Sequence, residues 1–147
     1  MEIKKAHIKY IEWRSIEELH EEILSCISEL RFTKDEQQFL EDLILNYTMG
    51  LLAGKSYELS RNVITRLTKS RNKLGPFLKK LMSHNNDLQS LFDEINNIEE
   101  MDDFKKLHNQ LMSEFSTYNA QFKKVKKQIF KLIKQILKER RQVKLLN

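Results

Sequence analysis

One line of apolar positions runs through the last third of the chain. From Phe104, alternating steps of four and three reach His108, Leu111, Phe115, Tyr118, Phe122, Val125, Ile129, Leu132, Ile136, Glu139, Val143 and Leu146. Eleven of these thirteen positions are apolar, and neither Gly nor Pro interrupts them. The stride is that of a helix seam and predicts one continuous helix of about 65 Å at 1.5 Å per residue.

Upstream, the pattern predicts shorter elements. Residues 1–12 show no period and are expected to form a loose arm. Ser15 with Glu18 has capping-box spacing, and Trp13, Ile16, His20, Ile23, Ile27 and Leu30 then line one helical face. Thr33 with Glu36 repeats the capping spacing directly after that face ends. This predicts a tight helical hairpin at 31–33. The second helix shows Leu40, Leu43, Ile44, Tyr47, Leu51 and Leu52, with Gly54 as its carboxyl cap. Ser56 can cap a third helix, which carries Leu67, Leu74, Leu81, Leu88 and Ile95 at intervals of seven, flanked by Val63, Ile64, Phe77, Leu78 and Phe92. Register persists through Gly75-Pro76, so a kinked helix is expected there. Glu99 to Asp103 supplies the turn into the last helix.

Antiparallel pairing about these turns places Pro76 opposite Lys124 and His108 near Phe92. The expected fold is all-α and a single domain. It combines an antiparallel four-helix bundle (13–30, 34–54, 56–75 and 124–146) with a coiled-coil-like hairpin arm, 77–98 against 102–123, extending beyond it.

Composition supports helices: three Gly and one Pro in 147 residues leave little material for turns. No run of about 18 apolar residues could span a bilayer, the amino terminus lacks the apolar core of a signal peptide, and Cys26 has no second Cys to pair with. A cytoplasmic location and no membrane association are therefore expected.

The net charge of +5 conceals segregation. Residues 1–54 carry six Lys/Arg against eleven Asp/Glu, residues 55–80 eight against one, residues 81–122 two against eight, and residues 123–147 ten against one. Two accounts fit the basic runs. Either the acidic first helices neutralise them within the bundle, or the face bearing Lys123, Lys127, Lys131, Lys134, Lys138 and Arg141 contacts a phosphate backbone by charge alone.

Chemistry is sparse. His20 and His108 fall on seams, and Glu17 with His20 makes one Glu-x-x-His, but residue 105 is Lys where a second pair would need Glu. Three isolated glycines make no phosphate-cradling loop, and Cys26 beside an apolar face suits a buried, inert thiol. No catalytic residue, cofactor, metal or small-molecule substrate follows from the sequence, which is that of a non-enzymatic interaction or scaffold protein. The expected surface is the arm, where Leu81, Leu88, Phe92, Phe104, Leu111, Phe115 and Tyr118 exceed what two helices hide between them and Asn85 would set register. A second copy, giving a dimer, or another helical protein would cover that surplus. Nucleic-acid binding through the basic carboxyl-terminal helix is the alternative.

Overall fold

The computed structural model describes residues 2–48, 55–93 and 98–146, with the side chains of 16–48, 56–91, 93 and 100–142. The described residues are all helical and form three helices without a strand: α1 (Glu2–Thr48), α2 (Lys55–Asp93) and α3 (Ile98–Leu146). The all-α class holds. The four-helix bundle does not, because the chain makes no hairpin at 31–33.

The reason lies in the residues taken for a cap. Among the described side chains of α1 the buried positions are Ile16, Ile23, Cys26, Ile27, Leu30, Thr33, Gln37, Leu40 and Ile44, an unbroken helical stride in which two members are polar. Thr33 and Gln37 interrupt the apolar run without interrupting the helix. Nor are residues 2–12 a loose arm, since α1 begins at Glu2. Glu99 to Asp103 is likewise not a turn. α3 starts at Ile98, and Glu100 sits in its first turn, where the positive end of the helix dipole stabilises a carboxylate. Ser56 lies one residue inside α2, and its hydroxyl donates to Glu139 Oε1 at 2.8 Å. Gly54 and Ile95 fall outside the described residues.

Pro76 sits inside α2 without ending it. A residue before proline is normally pushed from helical geometry by the clash between its Cβ and the proline ring; Gly75 has no Cβ and removes that conflict.

Two compact units divide the chain: unit 1 is Met1–Arg31 with Gly75–Ser116, and unit 2 is Phe32–Leu74 with Thr117–Asn147. In unit 1, α1 contributes Ile16, Ile23, Cys26, Ile27 and Leu30 to the buried interior. α2 adds Phe77, Leu81, His84 and Leu88, and α3 adds Met101, Phe104, His108 and Leu111. Residues 13–30 thus join the segments expected to form a bare two-helix arm and supply its third wall. Leu81, Leu88, Phe104 and Leu111 are core here, not a surplus awaiting another molecule.

Unit 2 buries Leu40 and Ile44 of α1, Val63 and Leu67 of α2, and Phe122, Val125, Ile129, Leu132, Ile133 and Ile136 of α3 in one cluster. Removing each such side chain from water contributes about 1.5–3 kcal/mol. Polar ties fix the register. Gln37 Nε2 donates to Tyr118 Oη at 2.8 Å and to Ser70 Oγ at 3.0 Å, while Tyr118 Oη donates to the Ser70 carbonyl at 2.8 Å. Ion pairs join Glu36 to Lys126 and Glu41 to Arg71.

Candidate interaction surfaces and a buried histidine chain

Unit 1 holds the most unusual chemistry. His84 Nε2 and His108 Nδ1 lie 3.0 Å apart, and His108 Nε2 is 2.6 Å from Glu22 Oε2. The network assigns the protons: His108 donates through Nε2 to the carboxylate, leaving its Nδ1 to accept from His84 Nε2–H. Phe104 stacks on the His84 ring at 4.1 Å, and His84 Nδ1 is buried without a hydrogen-bond partner. Burial, helped by the neighbouring His108, lowers the His84 pKa from 6.5 to about 4, against an opposing pull from Asp87. The ring is therefore neutral at physiological pH. His20 Nδ1 and Asn85 Oδ1 make a separate pair at 2.8 Å, so Asn85 is tied within its own unit and is not presented to a partner.

Nothing in this chain of rings resembles an activated nucleophile. Cys26 is buried beside it, with its Sγ 3.5 Å from Met112 Sδ, and its pKa rises to about 11 through burial, then Glu29, then Glu22. Native Cys26 should accordingly react with iodoacetamide on the order of 100-fold more slowly than a free thiol, the ratio of their thiolate fractions. A native rate equal to that of the urea-unfolded chain would contradict this environment. Among the described residues no group of three or more His, Cys, Asp or Glu is arranged to hold a metal ion. His20, of the single Glu-x-x-His, is taken up by its pairing with Asn85.

Unit 2 concentrates charge. It carries 17 Lys/Arg against 6 Asp/Glu, or +11, whereas unit 1 carries 9 against 15, or −6. Internal pairing removes little of the excess. On α3, Lys126 pairs with Glu36, and Arg140 donates to the Tyr47 carbonyl at 3.1 Å while lying over its ring. Lys123, Lys127, Lys131, Lys134, Lys138 and Arg141 are exposed and form no ion pair with another described residue. Of the two accounts of the basic runs, internal neutralisation covers only a small part.

Among these cations stand large apolar side chains. Phe130 and Leu137, seven residues apart on α3, are 46% and 40% exposed; Phe32 and Phe39, seven apart on α1, are 67% and 61% exposed. A spacing of seven keeps each pair on one helical face. The Glu36–Lys126 and Tyr47–Arg140 ties set α1 beside α3 in register, and within those limits Phe39 and Phe130 come level. The rim is two-signed: Asp35 and Asp42 are exposed on the α1 side, and Lys127, Lys134 and Arg141 on the α3 side. Sequence reasoning missed this surface because it placed Phe32 in the turn at 31–33 and left Phe39 off the apolar face of the second helix. The signal was present as two Phe-x6-aromatic-or-Leu repeats lying off the seam.

Of the residues expected to form the interaction arm, Leu81, Leu88, Phe104 and Leu111 are buried in unit 1, and Phe115 is partly buried there. Tyr118 belongs to unit 2, where it is hydrogen-bonded, and the Phe92 side chain lies outside the described residues. Apolar exposure in unit 1 is confined to Leu24, Met82 and Leu107 among its large described side chains. Among the described residues no helix is long and apolar enough to cross a membrane. No family model matches the chain, and no curated protein or solved structure matches it either, so its fold and surfaces are the whole basis for a functional reading.

Proposed function

We propose that this chain is a non-catalytic cytoplasmic interaction protein that pairs two copies through the α1–α3 side of unit 2. The observation that carries this reading is the level pair Phe39 and Phe130, extended by Phe32 and Leu137 into an apolar patch with a polar rim. Aromatic side chains so far out of the core gain little from folding and much from being covered. The reading keeps the self-association expected from the sequence but moves it off the 77–123 arm, where Leu81, Leu88, Phe104 and Leu111 are buried.

The rim argues for a second copy and for its orientation. α1 lines the patch with carboxylates and α3 lines it with ammonium and guanidinium groups. A twofold axis parallel to the helices lays α1 of one copy over α3 of the other and sets opposite signs together at the same level. An axis across the helices would set like over like. In the favoured arrangement Asp42 of one copy meets Lys134 of the other.

Sedimentation equilibrium tests this. The protein is expected to be a dimer, and Phe39→Glu with Phe130→Glu should weaken dimerisation by about 30-fold or more, the equivalent of two kcal/mol at an interface centre, without loss of helicity. Met82→Glu in unit 1 should leave the dimer intact. Lys134→Glu should weaken it, and adding Asp42→Lys in the same chain should restore it. A monomeric wild-type protein would remove the proposal; a dimer indifferent to Phe39 and Phe130 would move the interface elsewhere.

A further inference from the structure

The other side of α3 offers a different surface. Between α2 and α3 of unit 2 runs an open groove of about 130 Å3 lined by Arg66, Lys69, Ser70, Lys73, Tyr118, Gln121 and Val125. Arg66, Lys69 and Lys73 occupy positions i, i+3 and i+7 of α2, one face of about two turns and roughly 10 Å. All three are exposed, and none forms an ion pair with another described residue. The opposite wall is α3 at Tyr118, Gln121 and Val125, and Lys124, three residues beyond Gln121, is exposed and unpaired next to it without lining the groove. The Ser70–Tyr118 hydrogen bonds hold the two walls in register. One row of cations therefore lines a channel in which the Ser70 and Tyr118 hydroxyls are already hydrogen-bonded.

We propose that this groove holds the phosphates of a single-stranded nucleic acid, without reading its bases. A row of cations along an open channel matches a repeating anion better than one enclosed phosphate, which would need donors converging on a point. The walls present no exposed large apolar side chain, so they give a bilayer nothing to take up and a protein partner no anchor. Base-reading aromatics are missing too: Tyr118 is buried, with its hydroxyl engaged by Gln37 and Ser70. This surface is independent of the Phe39–Phe130 patch, and either can fail without the other.

Fluorescence anisotropy with a labelled mixed-sequence RNA oligonucleotide and the full chain provides the test. Affinity should fall steeply with salt, and Arg66→Gln/Lys69→Gln/Lys73→Gln should weaken binding by about 10-fold or more and flatten the log–log salt slope by about 2, near 0.7 for each lost contact. Lys134→Gln/Arg141→Gln, on the patch side of α3, should change affinity by less than about twofold and leave the slope nearly unchanged. Phe39→Glu/Phe130→Glu should still bind RNA, which separates this result from the fate of the dimer. The substituted positions are exposed, and circular dichroism confirms that the variants fold. No binding at low salt overturns the proposal, as does equal weakening by the two sets of charge changes, which would mean diffuse attraction. Displacement of RNA by inorganic phosphate at matched ionic strength, or groove-dependent binding of phosphatidylserine vesicles, would reassign the groove and also overturn it.

Discussion

Acidification from neutrality to about pH 4 is expected to lower the melting temperature by roughly 10 °C, and His84→Gln is expected to remove most of that loss. The folded chain holds His84 neutral down to about pH 4, whereas the unfolded chain protonates it near 6.5. Between those values the unfolded state binds a proton that the folded state refuses. The stabilising contribution is therefore complete above 6.5, declines through the window and is gone below 4. At about 1.4 kcal/mol per pH unit the window corresponds to on the order of 3 kcal/mol. Each helix contributes to the environment: Phe104 and His108 from α3, Glu22 of α1 through His108, and Asp87 from α2 itself, which pulls the other way. Glutamine retains an N–H for His108 Nδ1 but does not titrate, so His84→Gln isolates the charge from the hydrogen bond. Thermal melts across this range decide the matter. An unchanged pH dependence in the variant would mean that some other group drives the loss.

The second large effect is expected at Gln37. Gln37→Glu should cost about 3–5 kcal/mol at neutral pH, and Gln37→Leu should cost no more than about 1 kcal/mol. Gln37 is 1% exposed, so a carboxyl there must either ionise out of water or hold a proton at neutral pH, and each costs stability. Leucine loses two hydrogen bonds but strands nobody. Tyr118 Oη still donates to the Ser70 carbonyl, and Ser70 Oγ still donates to Tyr118 Oη at 3.2 Å. Urea titrations near pH 7 and pH 5 give the ordering, with the glutamate variant recovering stability at the lower pH as it takes up a proton. A leucine variant weaker than the glutamate variant would show that the network acts in some other way.

Gln37 also shows where the sequence was legible and where it was not. The stride through α3 was open to reading: of its positions, Phe104, His108, Leu111, Tyr118, Phe122, Val125, Ile129, Leu132 and Ile136 are all buried. The α1 stride was equally regular, but two of its members are polar. A Thr and a Gln where apolar residues are expected, with that Thr opening a Thr-x-x-Glu spacing, look the same for a helix end and for a buried hydrogen-bond network. Only the position of Ser70 and Tyr118 on other helices separates the two. One misplaced turn then propagated. Folding α1 back at residue 31 stripped the 77–123 segments of their cover and created an apolar surplus that Ile16 to Leu30 in fact absorb. The histidine chain was lost by a smaller error. Taking Glu99–Asp103 as the turn set His108 opposite Phe92, whereas His84, seven residues after Phe77 on the seam, is its actual neighbour. The surfaces were hardest to read, because an off-seam Phe is silent until the core has claimed its own residues.

The unpaired lysines and arginines of unit 2 have a thermodynamic corollary. Residues 117–147 carry ten cationic side chains against a single carboxylate, and α2 adds Arg66, Lys69 and Lys73 alongside. Bringing so many like charges onto adjoining helices costs Coulomb work that an expanded chain would relieve. The folded state of this half of the molecule is thus coupled to its ionic surroundings: counterions, or a polyanion that settles on it, act as part of its stabilising framework.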